Sequence, residues 1–403
     1  GVKLDPAAKG FRIKTRITGH GHEGTYDPNQ NLIHCCEWAN KKHYLHVNGV
    51  ERFAWDIWQN DNCAMNPVMN QGGNWAPPRA GWCPGATVDD YEFELTPYVS
   101  GDSVRLDYGI DPVPTNNTGQ GTGNYVMTMD MVQYGAPNFQ RDATVDAVIK
   151  PTSWEFYRRF NPMCSNPTIR IKNTGAAEMT SAEIRYGVVG GATRTHQWTG
   201  KLKFLETATV QMPFAAGDWY SGGVGDKEFF AEVTAVNGAA DEYPRNNKAA
   251  TIFTPAPVYG ATEYIFRLKN NAIPNDVTYT LKNSAGTEII GRSNMDINAT
   301  YLDTFQLAPD CYTLEIATNE GFGLAYPLIS AVGSGSASLR KIEGGKVTVV
   351  RSLPTDFGKR MIFSFAVGLP TGVPETPAEE SWSEVYPNPS PGEFTVEAMG
   401  SFG

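Results

Sequence analysis

The chain of 403 residues has no apolar run approaching the roughly 20 residues that a membrane-spanning helix requires. It also lacks any stretch of ten or more residues with the three-to-four apolar spacing of an amphipathic helix. The first absence argues against a membrane span, and the second predicts low helix content. A surplus of positive charge is missing too: 33 Lys and Arg stand against 43 Asp and Glu, a formal charge of −10. Phosphate-driven nucleic-acid binding is thereby excluded, and an uncharged ligand fits better. The opening Gly1-Val2-Lys3-Leu4-Asp5 has neither the basic nor the apolar region of a signal peptide, so any export signal is expected to lie upstream or to have been removed.

What the chain does have is glycine (41) and proline (27), with Val, Thr, Tyr, Phe and Ile in short runs of period two broken by turn residues. That pattern predicts an all-β chain, and the length predicts roughly two to four domains. The expected order is a jelly-roll sandwich over 1–137, followed by two immunoglobulin-like β-sandwich modules over 138–257 and 258–370. A Pro-, Thr- and Glu-rich linker over 371–384 and a short final segment over 385–403 complete it. Six cysteines point to an oxidising compartment, hence to a secreted or cell-surface protein.

The chemically reactive residues are unevenly spread. Between Gly19 and Gly85 lie five of the six histidines and four of the six cysteines, among several Trp, Arg and Glu. The remainder reads as scaffold, so function is expected in this region.

Its motifs are Cys35-x-Glu37-Trp38, His43, Cys63-x-x-Asn66-Pro67, Asn70-Gln71 and the block Asn74-Trp75-Ala76-Pro77-x-Arg79-Ala80-Gly81-Trp82-Cys83-Pro84-Gly85. At these spacings, residues from about Lys9 to Val132 resemble the carboxyl-terminal half of the peptide-N-glycosidase F family, amidases that release N-glycans from asparagine. The resemblance covers about a third of the chain and half of a family enzyme. It implies two sandwiches side by side with a glycan cleft between them. It implies further that Glu37 and Arg79 serve catalysis, one assisting and the other orienting the core sugars, and that Trp38, Trp82, Trp75 and His20 line the substrate site. A carboxylate can hold water or protonate a leaving group, indoles stack on sugar C–H faces, and a guanidinium orients an amide oxygen. The family's principal catalytic aspartate belongs to the other half. The resemblance therefore implies hydrolysis of the GlcNAc–Asn amide of an N-glycoprotein or glycopeptide if an N-terminal half, such as a separate fragment, is supplied, with no cofactor required.

The alternative is a non-hydrolytic surface protein that binds glycan or peptide. His20 stands where the family has a tryptophan, creating His20-Gly21-His22, whose imidazoles share a face if the strand is extended. Copper type II monooxygenases, which share the sandwich, ligate copper through a His-x-His and a methionine. Copper or zinc on His20, His22, His34 and Met127 is thus the metal reading, with Met129 and Met131 also on that strand. The bland readings are rim histidines, core methionines, and an Arg79 paired with Asp89 or Asp90.

Cys63 and Cys83 are expected to form a disulfide clamping the loop. Cys35 and Cys36 form a vicinal bridge or stay free; Cys164 and Cys311 stay free or join two modules. Asp241-Glu242 with Asn246-Asn247 reads as a solvated turn rather than a calcium site. The segment 138–257 resembles CARDB-type adhesion modules of bacterial surface proteins. Val385-Tyr386-Pro387-Asn388-Pro389 onward resembles the opening of a type IX secretion sorting domain of Bacteroidetes, which implies an outer-membrane route and a trimmed C-terminus.

Overall fold

The computed structural model describes residues 1–22, 24–26, 32–34, 36–60, 62–65, 77–112, 120–222, 225–260, 263–369, 383–386 and 395–398. Residues 371–382 of the linker expected over 371–384 lie outside these residues, as do Trp75 and Cys35. The protein is all-β: strands dominate, and among the described residues the helical segments are four short 3-10 turns. It divides into two compact units, Gly1–Pro137 and Asn138–Gly403.

The first unit is built on ten strands: β1 (Val2–Lys3), β2 (Gly10–His22), β3 (Gly24–Tyr26), β4 (Leu32–His34), β5 (Lys42–Val47), β6 (Val50–Asp56), β7 (Tyr91–Glu94), β8 (Ser103–Val104), β9 (Leu106–Ile110) and β10 (Gln120–Tyr134). Two three-stranded antiparallel sheets carry it, in the orders β10-β2-β7 and β6-β5-β9. The alternation of β2 explains its place: Ile13, Thr15 and Ile17 are buried, while Lys14 and Arg16 point the other way and reach Asp90 at 3.0 and 2.6 Å. On β5, the same period buries His43, Leu45 and Val47 and leaves His46 half-exposed. Ile13, Ile17, Leu45, Val47, Trp55, Ile57, Leu95 and Val104 form one core, each large aliphatic side chain contributing about 1.5–3 kcal/mol by its burial.

His43 is the polar exception in that core, 0% exposed among the rings of Trp55, Tyr108 and Tyr125. Its Nδ1 lies 2.5 Å from the Tyr108 hydroxyl. Burial pushes the imidazole down to about 4, against which the charges of Asp56 and Asp111 pull only weakly. Burial likewise lifts the Tyr108 phenol to about 12. The consequence for stability has a definite sign. Between the ordinary histidine value of 6.5 and about 4, the unfolded chain holds a proton on this residue and the folded chain does not. Stability is therefore complete above 6.5 and drains away as pH falls through that window, by about 3 kcal/mol. Chemical denaturation at pH 7, 5.5 and 4.5 should show this slope in the wild type, and His43→Phe should flatten it even where the variant is less stable throughout. An unchanged slope would assign the acid sensitivity to other groups.

In the second unit, the strands Ala143–Lys150, Thr168–Asn173 and Thr207–Gln211 form one sheet. Met179–Val188, Thr193–Leu202, Lys227–Val236 and Lys248–Phe253 form the sheet opposite, with Trp219 fully buried in the core they enclose. A further pair of sheets is built from residues 258–367. That pair is not separate from the first. Cys311 and Ala366 belong to the same core as Ile169, Met212 and Trp219, Val258 pairs in parallel with Ala366, and Cys164 is disulfide-bonded to Cys311. Arg159 adds a polar tie, donating from Nη1 to the carbonyls of Phe357 and Arg360 at 2.9 and 2.6 Å.

Candidate functional site: a stacked arginine beneath a carboxylate

The reactive region converges on three backbone segments that approach closely: the end of β2, the turn at Cys36–Trp38, and the segment from Pro77 to Pro84. Gly19 N–H donates to the Ala80 carbonyl at 3.0 Å, Ala80 N–H to the Glu37 carbonyl at 2.9 Å, and Gly81 N–H to the Ile57 carbonyl at 2.7 Å. Two glycines make this approach feasible. A Cβ on Gly19 would sit 2.2 Å from the Cys36 carbonyl oxygen, and one on Gly81, at φ +78°, 2.1 Å from that of Ile17. The Cys63–Cys83 disulfide closes the loop, as the sequence indicates, and stabilises it by about 3 kcal/mol in the chain-entropy picture. Cys36 is also disulfide-bonded, which removes the free-thiol alternative for it, and its φ is +77°.

On this frame the side chains form a stack. The Arg79 guanidinium lies 4.6 Å from the ring centroid of Trp38 and 4.7 Å from that of Trp82. The His20 ring stacks on that of Trp82 at 5.5 Å between centroids. Trp82 is fixed by donating from Nε1 to the Gly19 carbonyl at 2.9 Å, and His20 Nε2 lies 2.7 Å from the Thr18 hydroxyl. Arg79 Nη1 reaches Glu37 Oε1 at 3.4 Å. Cation–π contacts of this kind contribute about 0.5–2 kcal/mol each.

Glu37, Arg79, Trp38, Trp82 and His20, separated by up to 62 positions in the chain, are thus brought together. Their exposures differ in a way the sequence does not reveal. The Arg79 side chain is 4% exposed and that of Glu37 14%. Arg79 is therefore enclosed by its neighbours. It partners Glu37, while Asp90 serves Lys14 and Arg16, and Asp89 accepts from Gln59 Nε2 at 3.0 Å. Trp38, Trp82, His20 and Glu37 are half-buried. A carboxylate edge framed by indole faces can accept a hydroxyl or amide N–H while the rings cover C–H surface. Thr18 is a member of the site that motif reading passes over; the only signal for it is its place two residues before His20 on the same strand.

The metal donor set is not assembled in this way. Gly21 has φ +95°, so the backbone between His20 and His22 is not regularly extended and the shared-face expectation fails there. The register pairs Met127 with Ile17 and Asn124 with His20, three positions apart on β10, which puts Met127 on the opposite sheet face from His20. The strand positions of His22 and His34 are described, their side chains are not. Among the described residues no group of three or more His, Cys, Asp or Glu is placed to hold a metal ion. The arrangement does not fit copper or zinc on His20 and Met127 together.

Residues 1–132 match the family model described as Peptide-N-glycosidase F, C terminal. The first unit is thus similar to the C-terminal part of that family. Over 118 residues the chain is 33% identical to peptide-N(4)-(N-acetyl-beta-D-glucosaminyl)asparagine amidase F of Elizabethkingia miricola, covering 29% of this chain and 32% of that protein. The chain therefore spans about a third of the length of this relative. Among solved structures, PNGase F, a glycosylasparaginase from Flavobacterium meningosepticum, is similar over 33% of this chain and 42% of its own, at 28% identity and a TM-score of 0.30. A putative cell surface protein domain from Methanosarcina acetivorans is similar over 29% of this chain and 93% of its own, at 15% identity and a TM-score of 0.23.

Proposed function

We propose that the first unit supplies one wall of an N-glycan site in a glycosylasparagine amidase-like protein. Trp38, Trp82 and His20 are the stacking surface in this reading. The Glu37 carboxylate accepts from the glycan core or holds the water that attacks the GlcNAc–Asn amide. Arg79 is a positioning residue that fixes the carboxylate and both indoles. The observation that carries the reading is the Trp38–Arg79–Trp82–His20 stack beside the partly exposed Glu37, inside the segment that matches the N-glycanase C-terminal model. Trp75, which the motif assigns to substrate binding, lies outside the described residues. Hydrolysis calls for an acidic group on a facing N-terminal half, so the catalytic unit comprises both halves, on one precursor or as two fragments. The substrate is an N-glycoprotein or glycopeptide, and no cofactor is needed.

The test is incubation of the full-length precursor with a denatured N-glycoprotein, followed by electrophoretic mobility and detection of free glycan. Release that falls at least tenfold in Glu37→Gln, with the fold intact by circular dichroism, supports the amidase. No release from folded precursor removes it. The alternative is a non-hydrolytic glycan-binding role, carried by the same half-buried Trp38, Trp82 and His20. It then stands or falls on binding of a chitobiose glycopeptide to this chain. Secretion to the cell surface, through the type IX route suggested by the motif at Val385–Pro389, is part of the same proposal; the three oxidised cysteine sites support it.

A further inference from the structure

In the second unit, the strands Thr300–Gln306, Glu263–Lys269, Ser336–Glu343 and Lys346–Leu353 form one sheet in that order. On Glu263–Lys269, Tyr264, Phe266 and Leu268 are buried, so Ile265, Arg267 and Lys269 project from the opposite face. On the neighbouring strand Ala337 and Leu339 pair with Leu268 and Phe266 on the core side, which puts Ser336, Ser338 and Arg340 on the outer face as well. The register sets Arg267 opposite Ser338 and Arg340 opposite Ile265. The two arginines are therefore diagonal neighbours, a separation of about 7–8 Å in an ordinary antiparallel pair.

Their surroundings are unlike those of the chain's other arginines. Acids outnumber bases 43 to 33, and among the described residues ten arginines are ion-paired with a carboxylate. Arg267 and Arg340 are not. Arg267 Nη1 donates to Ser336 Oγ at 3.0 Å and Arg340 Nε to Ser338 Oγ at 3.2 Å. Lys269, on the same face, reaches the Ser334 hydroxyl at 3.4 Å. Glu263 shares this face and ion-pairs with neither arginine, and Glu343 is engaged by Lys341 at 2.9 Å.

A guanidinium has five N–H groups, and each of these two commits one of them to a serine. The unused nitrogens, Nε and Nη2 of Arg267 and Nη1 and Nη2 of Arg340, are open to solvent although both residues are half-buried. Like charges side by side on neighbouring strands repel. Burial, with the charge of Arg267 adding to it, holds the Arg340 guanidinium below its ordinary range. Donors and positive charge are thus in excess at one point on the sheet, and nothing within the described residues uses them.

We propose that Arg267 and Arg340, with the hydroxyls of Ser336 and Ser338, bind a tetrahedral oxyanion, a sulfate or phosphate group carried as the free ion or as a monoester on a sugar. Two guanidinium forks match the two negative charges of such a group and donate to its oxygens in pairs. The serine oxygens accept from the arginines, and each hydroxyl keeps its own hydrogen to give to the anion. The net charge of −10 opposes an extended polyanion, which favours a single anionic group over a phosphate backbone. The proposal is independent of the glycan reading, which concerns the other unit.

The test is calorimetric titration of the full chain with sodium sulfate, sodium phosphate and a glucosamine 6-sulfate, at an ionic strength held near about 0.15 M with sodium chloride. One saturable site with a dissociation constant at or below about 1 mM is expected for at least one of the three. Binding of the free ions identifies an inorganic anion as the ligand, and binding of the sugar sulfate alone identifies the ester. Arg267→Gln and Arg340→Gln should each weaken binding about tenfold, the loss of one charge-assisted contact. Glu263→Gln, which removes a negative charge from the face, should tighten it, and this variant decides the matter if the arginine variants fold poorly. Absence of saturable binding to folded wild-type chain up to about 10 mM, ten times the expected limit, overturns the proposal. So does undiminished binding by a folded Arg340→Gln variant, or an unchanged affinity in Glu263→Gln, either of which would mark an adventitious ion only.

Discussion

Replacing Arg79 with alanine is expected to cost the first unit about 3–5 kcal/mol, the range for removing one partner of a buried ion pair. Three things are lost at once. Glu37 keeps a carboxylate that is 14% exposed and no longer has the guanidinium at 3.4 Å. Trp38 and Trp82 lose the plane between them, centred 4.6 and 4.7 Å from their rings. The void left by the side chain then draws the two indoles together or admits water. Arg79→Lys should recover only part of the loss, since a tetrahedral ammonium cannot lie flat between two rings. The readout is denaturant unfolding followed by tryptophan fluorescence, with near-ultraviolet circular dichroism reporting the asymmetric packing of the indoles. A midpoint for Arg79→Ala within about 0.5 kcal/mol of wild type, the scatter of an ordinary surface substitution, would show the stack to be incidental. For glycan recognition the same variant should weaken binding without altering which sugar is bound, because Arg79 acts through the groups it positions.

The parts of this molecule legible in the sequence are those set by local pattern. Period-two alternation in Phe11–Ile17 and His43–Val47 announces strands with one buried face, and both are strands of that kind. The Cys63–Cys83 bridge is readable for the same reason, being local and flanked by the loop it closes. Exposure was not readable. The motif marks Glu37 and Arg79 as lining one site, and only the packing of two indoles, brought in from positions 38 and 82, leaves the arginine side chain 4% exposed against 14% for the glutamate. The conformation of Gly21 was equally hidden, since a glycine between two histidines permits an extended strand or a positive φ, and tertiary context chose the latter. Asp142 illustrates the remaining gap: nothing near it in sequence indicates that it meets a turn a hundred residues away.

Long-range closure also governs the second large effect, the removal of the Cys164–Cys311 disulfide. The bridge spans 147 residues of sequence and joins the half of the second unit that contains Trp219 to the half that contains Phe365. In the chain-entropy picture a loop of that size restricts the unfolded state enough to contribute about 5 kcal/mol, against about 3 for the 20-residue separation of Cys63 and Cys83. Both sulfurs are buried, at 0% and 1% exposure, among Met163 and Ala366, so alanine at both positions avoids placing a hydroxyl in the core. The double variant Cys164→Ala/Cys311→Ala is expected to lower the unfolding midpoint of the second unit by several kcal/mol equivalent. The shared core, the parallel Val258–Ala366 pairing and the Arg159 contacts would still hold the two halves together, so the folded spectrum should be kept in the absence of denaturant. The Cys63→Ala/Cys83→Ala variant should leave that transition in place and shift only the first unit's. If the long-range variant instead unfolds within about 1 kcal/mol of wild type, the union of the two halves rests on the apolar core and the bridge adds little to it.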